Sequence, residues 1–211
     1  MGIHIEALIL FILIFLSRSG GATGVFSAKA ELLKIFLYYI PSLAIIWHLI
    51  LKARKIDLWI VKIGKKDLTG GLITLPCLLI TGLTVAFTAS YIGGDFAGEG
   101  AATQFPGASV FDWIILCISC VIFAYLEESY FRYYILTNRE ELNLNIVSAL
   151  VLSVVLFSVC HISGGPWSFL NAVIAGTILG FIFLRYNSFH GIAAAHGLYN
   201  IAAYAINSFI N

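Results

Sequence analysis

Charge is what this chain has least of. Only 11% of its 211 residues are Asp, Glu, Lys or Arg, against 60% hydrophobic, and the mean hydropathy is +0.96. A water-soluble domain averages about 25% charged residues. The deficit leaves too few charges for a surface in water, so lipid must cover most of this one. The net charge of +1 gives no electrostatic hold on nucleic acid. No nucleic-acid motif, glycine-rich phosphate loop or internal repeat is present either. Cysteine is sparse: Cys77, Cys117, Cys120 and Cys160 all lie in apolar stretches. Cys117 and Cys120, three apart, share a helix face rather than forming a zinc knuckle, and all four read as small buried hydrophobes. The metalloprotease signature H-E-x-x-H is missing. The basic segment of a secretory signal is missing too. Nothing basic precedes the apolar run Ala7 to Leu16, and Arg18 follows it, so the run reads as a retained first span.

Long apolar runs are what the chain has in abundance. A helix needs about 20 such residues to cross a bilayer, and about seven windows qualify. They are 4–17, 32–51, 70–92, 110–137, 145–162, 167–186 and 189–209, the first being short. Pro41 should kink the second, and Pro76 sits near the start of the third. The expected fold is all-α, a polytopic transmembrane bundle. Lys52, Arg54, Lys55, Lys62, Lys65 and Lys66, against Asp57 and Asp67, make the densest basic connection, which belongs in the cytoplasm. Between these charges, Leu58-Trp59-Ile60-Val61 is expected to rest at the interface. The glycine-rich stretch from Gly93 to Ser109, holding only Asp95 and Glu99, then lies on the opposite side. Arg18, Lys29 and Lys34 argue the other way. Six basic residues outweigh three, so the N-terminus is placed in the cytoplasm.

Ionisable groups inside spans are costly and mark function by default. The fourth span holds Glu127-Glu128-Ser129-Tyr130-Phe131-Arg132. Arg132, one turn beyond Glu128, can pair with it. Glu127 points about 100° round the helix and has no local partner. A carboxylate in a water-poor pocket suits a general base near neutral pH. The plainer alternative is a structural ion pair locking helices. Phe157 and His161 share a face at i, i+4 in the fifth span, and His196 and Asn200 do so in the last. Two polar side chains aimed alike suggest a shared target, and a helix–helix hydrogen bond is the alternative. Asn171, Thr81, Thr84 and Ser153 are assigned packing roles.

Depth counting links these clusters in part. Glu127 lies 17 residues before Leu144 and His161 lies 17 after, so an antiparallel pair brings them level. His196 counts shallower, and joins the layer only if the turn at Asn187-Ser188 dips into the bundle or the helices tilt. Two chemistries then fit. Glu127, His161 and His196 could hold zinc as three ligands. Without metal, Glu127 takes a proton from water, His161 orients that water, and His196 with Asn200 donates to the developing oxyanion. Asn200 favours the second scheme, because an amide is a poor zinc ligand and a good oxyanion donor.

E-E-x-x-x-R, F-x-x-x-H and H-x-x-x-N, in that order, resemble the CPBP family of intramembrane proteases, which includes type II CAAX prenyl endopeptidases and bacterial Abi proteins. The likeness runs from about Val110 to Ile210 and no motif position departs from it. It implies 1–109 as N-terminal spans and loops and 110–211 as the catalytic membrane domain, with a four-helix core. It implies Glu127 as base, His161 as water holder, His196 and Asn200 as oxyanion hole, support from Glu128, Arg132 and Phe157, and no cofactor. Expected partners are the bilayer and a membrane-embedded or membrane-associated peptide, with no nucleic acid. Relatives act on prenylated CAAX tails or, in bacteria, in peptide maturation and bacteriocin immunity. The compact chain reads as a bacterial cytoplasmic membrane protein, for which prenylated substrates are not expected. The rivals are a non-catalytic immunity or scaffold protein and a small transporter, which would need a repeat that the sequence lacks.

Overall fold

The computed structural model describes residues 3–16, 24–54, 62–92, 103–104 and 109–210. They form a helical membrane bundle. The helices are α1 (Ile3–Leu10), α2 (Ala28–Lys34), α3 (Ile40–Arg54), α4 (Lys65–Ile92), α5 (Val110–Glu128), α6 (Ile135–Thr137), α7 (Ile146–Val159), α8 (Gly165–Tyr186) and α9 (Phe189–Ile210). Three π-helical segments join or extend them: Phe11–Phe15 after α1, Ile35–Tyr39 between α2 and α3, and Ser129–Tyr134 between α5 and α6. The rods that result match the seven expected spans. Four are long and apolar enough to cross a membrane: Ala28–Leu51, Lys65–Ile92, Val110–Thr137 and Ile162–Tyr186. Ile3–Phe15 and Ile146–Val159 are shorter apolar helices. The lipid-facing side is apolar, with Leu37, Leu72, Phe87 and Val147 all largely exposed. Gly24–Val25 and Thr103–Gln104 add a two-residue parallel bridge between two connections. The expectations for Leu58-Trp59-Ile60-Val61, for Arg18 and for most of the 93–109 stretch fall outside the described residues.

Local chemistry sets the helix starts. Ser109 and Asp112 form a reciprocal capping box on α5, the Asn145 side chain accepts from Ser148 N at 2.9 Å to open α7, and Pro166 stands in the first turn of α8. α8 stops at Asn187, which adopts a left-handed conformation with φ 50°. One expectation changes, and one gains a local feature. The π-helical turn Ile35–Tyr39 lies directly upstream of Pro41, and helix continues through Pro41. A proline removes one backbone donor, and a wider turn is a way to absorb that locally. The third rod begins at Lys65 rather than near residue 70, so Lys65, Lys66 and Asp67 are helical. Gly64 N donates to Asp67 Oδ2 at 3.0 Å and Asp67 N to the Gly64 carbonyl at 2.9 Å, which starts the helix earlier than hydropathy indicates.

The rod Val110–Thr137 is the centre of the bundle. Every residue from Leu126 to Leu136 is buried. The first rod packs on it. The Tyr130 hydroxyl donates to the Ala7 carbonyl at 2.7 Å, that of Tyr134 donates to Glu6, and Phe15 lies 4.7 Å from the Phe131 ring. α7 runs along it in the counted register. Phe131 and Phe157 meet edge to face at 5.4 Å, and the Ser153 hydroxyl donates to the Phe131 carbonyl at 2.7 Å. Packing roles for Ser153, for Thr84 (bonded to Ile80 O) and for Asn171 (donating to Tyr199) fit this arrangement.

Candidate active site

The site is built on the point where α5 gives way to the π-helical turn. Glu127 and Glu128 are the last α-helical residues, Arg132 lies within the π segment, and all three are at most 1% exposed. π-Helical turns recur at functional sites, since they re-aim side chains that an α-helix would set a full turn apart. Arg132 Nη1 lies 3.2 Å from Glu128 Oε1, and its Nη2 donates to the Gly176 carbonyl of α8 at 3.3 Å. A side chain at residue 176 would press on Phe157 at 3.1 Å, so glycine is what leaves that carbonyl within reach. The guanidinium also lies 4.4 Å from the Phe157 ring centroid, a favourable cation–π contact. The expected Glu128–Arg132 pair is therefore present, wholly inside protein.

Its third member comes from α9. His196, 4% exposed, places Nδ1 2.8 Å from Glu128 Oε1 and Nε2 3.7 Å from Glu127 Oε2. A carboxylate only accepts, so Nδ1 carries a proton and Nε2 is the position that can gain or lose one. Charge balance follows the same geometry. Two carboxylates surround one guanidinium and one imidazole, and the cluster is neutral when His196 is protonated. Buried charges persist when they are paired in this way.

The depth problem raised by counting has a plain answer. Phe189 opens α9 inside the bundle, with its ring 5.6 Å from those of both Tyr133 and Trp47 and 5.8 Å from that of Tyr125. Ser188 is fully buried. The two-residue turn does dip inward, and α9 starts level with Tyr133. From there Glu127 is six residues back along its rod and His196 is seven forward, which brings both to one layer.

Asn200, one turn beyond His196, is 2% exposed, and its Oδ1 has no hydrogen-bond partner among the described residues. A buried amide oxygen left in this state is uncommon and marks a place for a further ligand or water. His161 is less buried. α7 ends at Val159, so His161 stands in the turn after the helix rather than on it. Its ring still falls on Phe157, at 4.7 Å, and its Nδ1 lies 2.9 Å from the Phe157 carbonyl. That carbonyl fixes the Nδ1–H tautomer of the neutral ring, whose Nε2 is then an acceptor. Phe157 is the partition between the histidines, with the His196 ring on it at 5.8 Å. Irregular backbone at membrane depth is tolerated where it is packed in protein or lines a watery cavity. At about 1.5 Å per residue, the 14 residues of α7 end about 21 Å from its start, short of a full crossing.

The structure thus links Glu127, Glu128, Arg132, Phe157 and His196 directly, stacks His161 on Phe157, and sets Asn200 one turn from His196. Among the described residues no group of three His, Cys, Asp or Glu side chains is arranged to hold a metal ion. Gly176 and the π-helical turn escaped sequence reasoning.

Residues 109–202 match the family model described as Rce1-like, type II CAAX prenyl endopeptidase Rce1-like. The range begins at the cap of α5, closes two residues past Asn200 and covers just under half of the chain. No curated protein and no solved structure matches the chain.

Proposed function

With residues 109–202 identified as an Rce1-like domain, we propose that this integral membrane protein is an intramembrane endopeptidase whose water is activated by Glu127 without metal. The observation that carries the reading is His196 held between two buried carboxylates, with the Asn200 amide one turn away. Glu127 takes a proton from water as that oxygen attacks the scissile carbonyl. His161, with an acceptor Nε2, takes a second hydrogen bond from the same water and orients it. The carbonyl oxygen gains negative charge, and His196 Nε2–H and Asn200 Nδ2–H donate to it. Glu128 holds His196 Nδ1 and so favours the protonated ring that such donation needs. Arg132 balances Glu128. Glu127 then returns its proton to the leaving amine. The substrate is a peptide that reaches this layer from the membrane. The rival scheme makes Glu127, His161 and His196 zinc ligands and leaves Asn200 at most a supporting role.

The deciding experiment offers pure protein in lipid nanodiscs a quenched-fluorescence peptide with a farnesylated C-terminal CAAX tail, and in parallel a set of unprenylated transmembrane peptides. Cleavage of at least one peptide is expected, insensitive to strong chelators, with far less than one zinc per chain by elemental analysis. An intact peptide bound at stoichiometry would indicate the scaffold reading. Activity lost to chelator and restored by stoichiometric zinc would keep the peptidase and replace the mechanism.

A further inference from the structure

A third buried carboxylate sits beneath this layer. Asp67, in the first turn of α4, is 4% exposed. Its Oδ1 accepts from His190 N at 3.0 Å, Gly191 N at 3.3 Å and Ser188 Oγ at 3.4 Å, while Oδ2 accepts from Gly64 N at 3.0 Å. The first turn of any helix has backbone donors with no partner inside the helix, and a cap normally comes from the residue just before it. Here Ser188, which stands in that position, donates its hydroxyl to Asp67 instead. The cap of α9 is supplied by another helix, 123 residues away in sequence at His190. The joint is tight as well as polar. A methyl on Gly191 would overlap the Asp67 carbonyl, one on Gly70 would overlap Ser188 Oγ, and one on Gly71 would lie 3.2 Å from the Gly191 carbonyl. Tyr125 of α5 closes the other side, its hydroxyl 3.2 Å from His190 Nδ1.

We propose that Asp67 is the positioning residue of the active site: it fixes the depth of α9, and so the reach of His196 and Asn200 to the layer of Glu127 and Glu128. This rests on the peptidase reading above. The geometry explains why a distant cap matters. α9 follows α8 by a two-residue turn, which ties it only to the end of its neighbour. His196 lies six residues beyond His190, about 9 Å along the axis, on an uninterrupted helix that carries a shift at its start along its length. The 2.8 Å bond to Glu128 breaks if α9 slides by one residue, about 1.5 Å. Asp67 and the glycine joint oppose that slide at the start of α9, beside the Phe189 ring contacts and the Asn171–Tyr199 bond. A misplacement of this order costs about 10²-fold in rate even when the change is remote from the chemistry.

The test grades the disturbance. Asp67→Asn keeps an oxygen for α9 and loses the anion, and Gly71→Ala leaves Asp67 intact while moving α9 by a few tenths of an ångström. Against whichever peptide the wild type cleaves, Asp67→Asn should lower kcat by about tenfold to 10²-fold, and Gly71→Ala by about three- to tenfold, with KM unchanged. In an Asn200→Ala background each should cost less than it does alone, since one of the two groups being positioned is gone. A purely structural role would not give this pattern. Thermal unfolding supplies a readout independent of cleavage. The Tm losses of Asp67→Asn and His196→Ala should fail to add, although side chains more than about 7–10 Å apart ordinarily act independently. Both variants at full rate, or rate losses that persist undiminished in the Asn200→Ala background, would overturn the proposal. If the wild type cleaves nothing, the peptidase reading fails on its own, and additive Tm losses would then overturn the positioning role.

Discussion

Two buried carboxylate layers lie about 9 Å apart along α9, and they are satisfied differently. At the lower one, both oxygens of Asp67 are engaged, and backbone N–H groups are three of the donors. At the upper one, Glu128 Oε1 takes both Arg132 and His196, while Glu128 Oε2, Arg132 Nε and Asn200 Oδ1 are buried without a hydrogen-bond partner among the described residues. A fully satisfied polar network rigidifies a fold. A partly satisfied one leaves polar atoms for a ligand or water to meet. On the proposed reading, the contrast separates the layer that sets geometry from the layer that uses it.

Breaking the upper layer at its centre should have the largest effect. Arg132→Ala leaves Glu127 and Glu128 with His196 alone, one negative charge over in the protein interior, and loss of one partner of a buried pair costs about 3–5 kcal/mol. Thermal unfolding of Arg132→Ala, Glu128→Gln and the double variant measures this. Strong non-additivity is expected, whereas simple addition would mean that the two residues do not act as a pair. Loss of the Asn200 amide should be felt in rate rather than stability. Asn200→Ala is expected to lower kcat by about 10²–10³-fold, as for other oxyanion donors, with little change in Tm. A variant that instead unfolds early with its rate intact would move Asn200 from the upper kind of layer to the lower.

The sequence shows more of the upper layer than of the lower. Glu128 and Arg132 are four apart on one helix, so their pairing was legible, and the span boundaries followed from hydropathy to within a few residues. The Phe131–Phe157 contact obeys the same count about Leu144 that was applied to Glu127 and His161. What stayed hidden is long-range or set by backbone pattern. The bond from His196 to Glu128 spans 68 residues. The π-helical turns differ from α-helix in hydrogen bonding, which composition does not encode. Asp67 read as one charge in a basic connection, because the hydropathy window starts α4 a turn late and so removes Asp67 from the bundle. The inward turn before α9 was legible only as a condition to be met.

Single-turnover cleavage by Glu127→Gln beside wild type tests the central claim most directly. Glutamine keeps the shape and the hydrogen-bonding reach of the side chain and removes its ability to take a proton. A folded variant with the wild-type melting profile and cleavage slower by about 10²–10⁴-fold is the expected result. A folded variant that retains more than about a tenth of the wild-type rate, far above what loss of a general base allows, would contradict it.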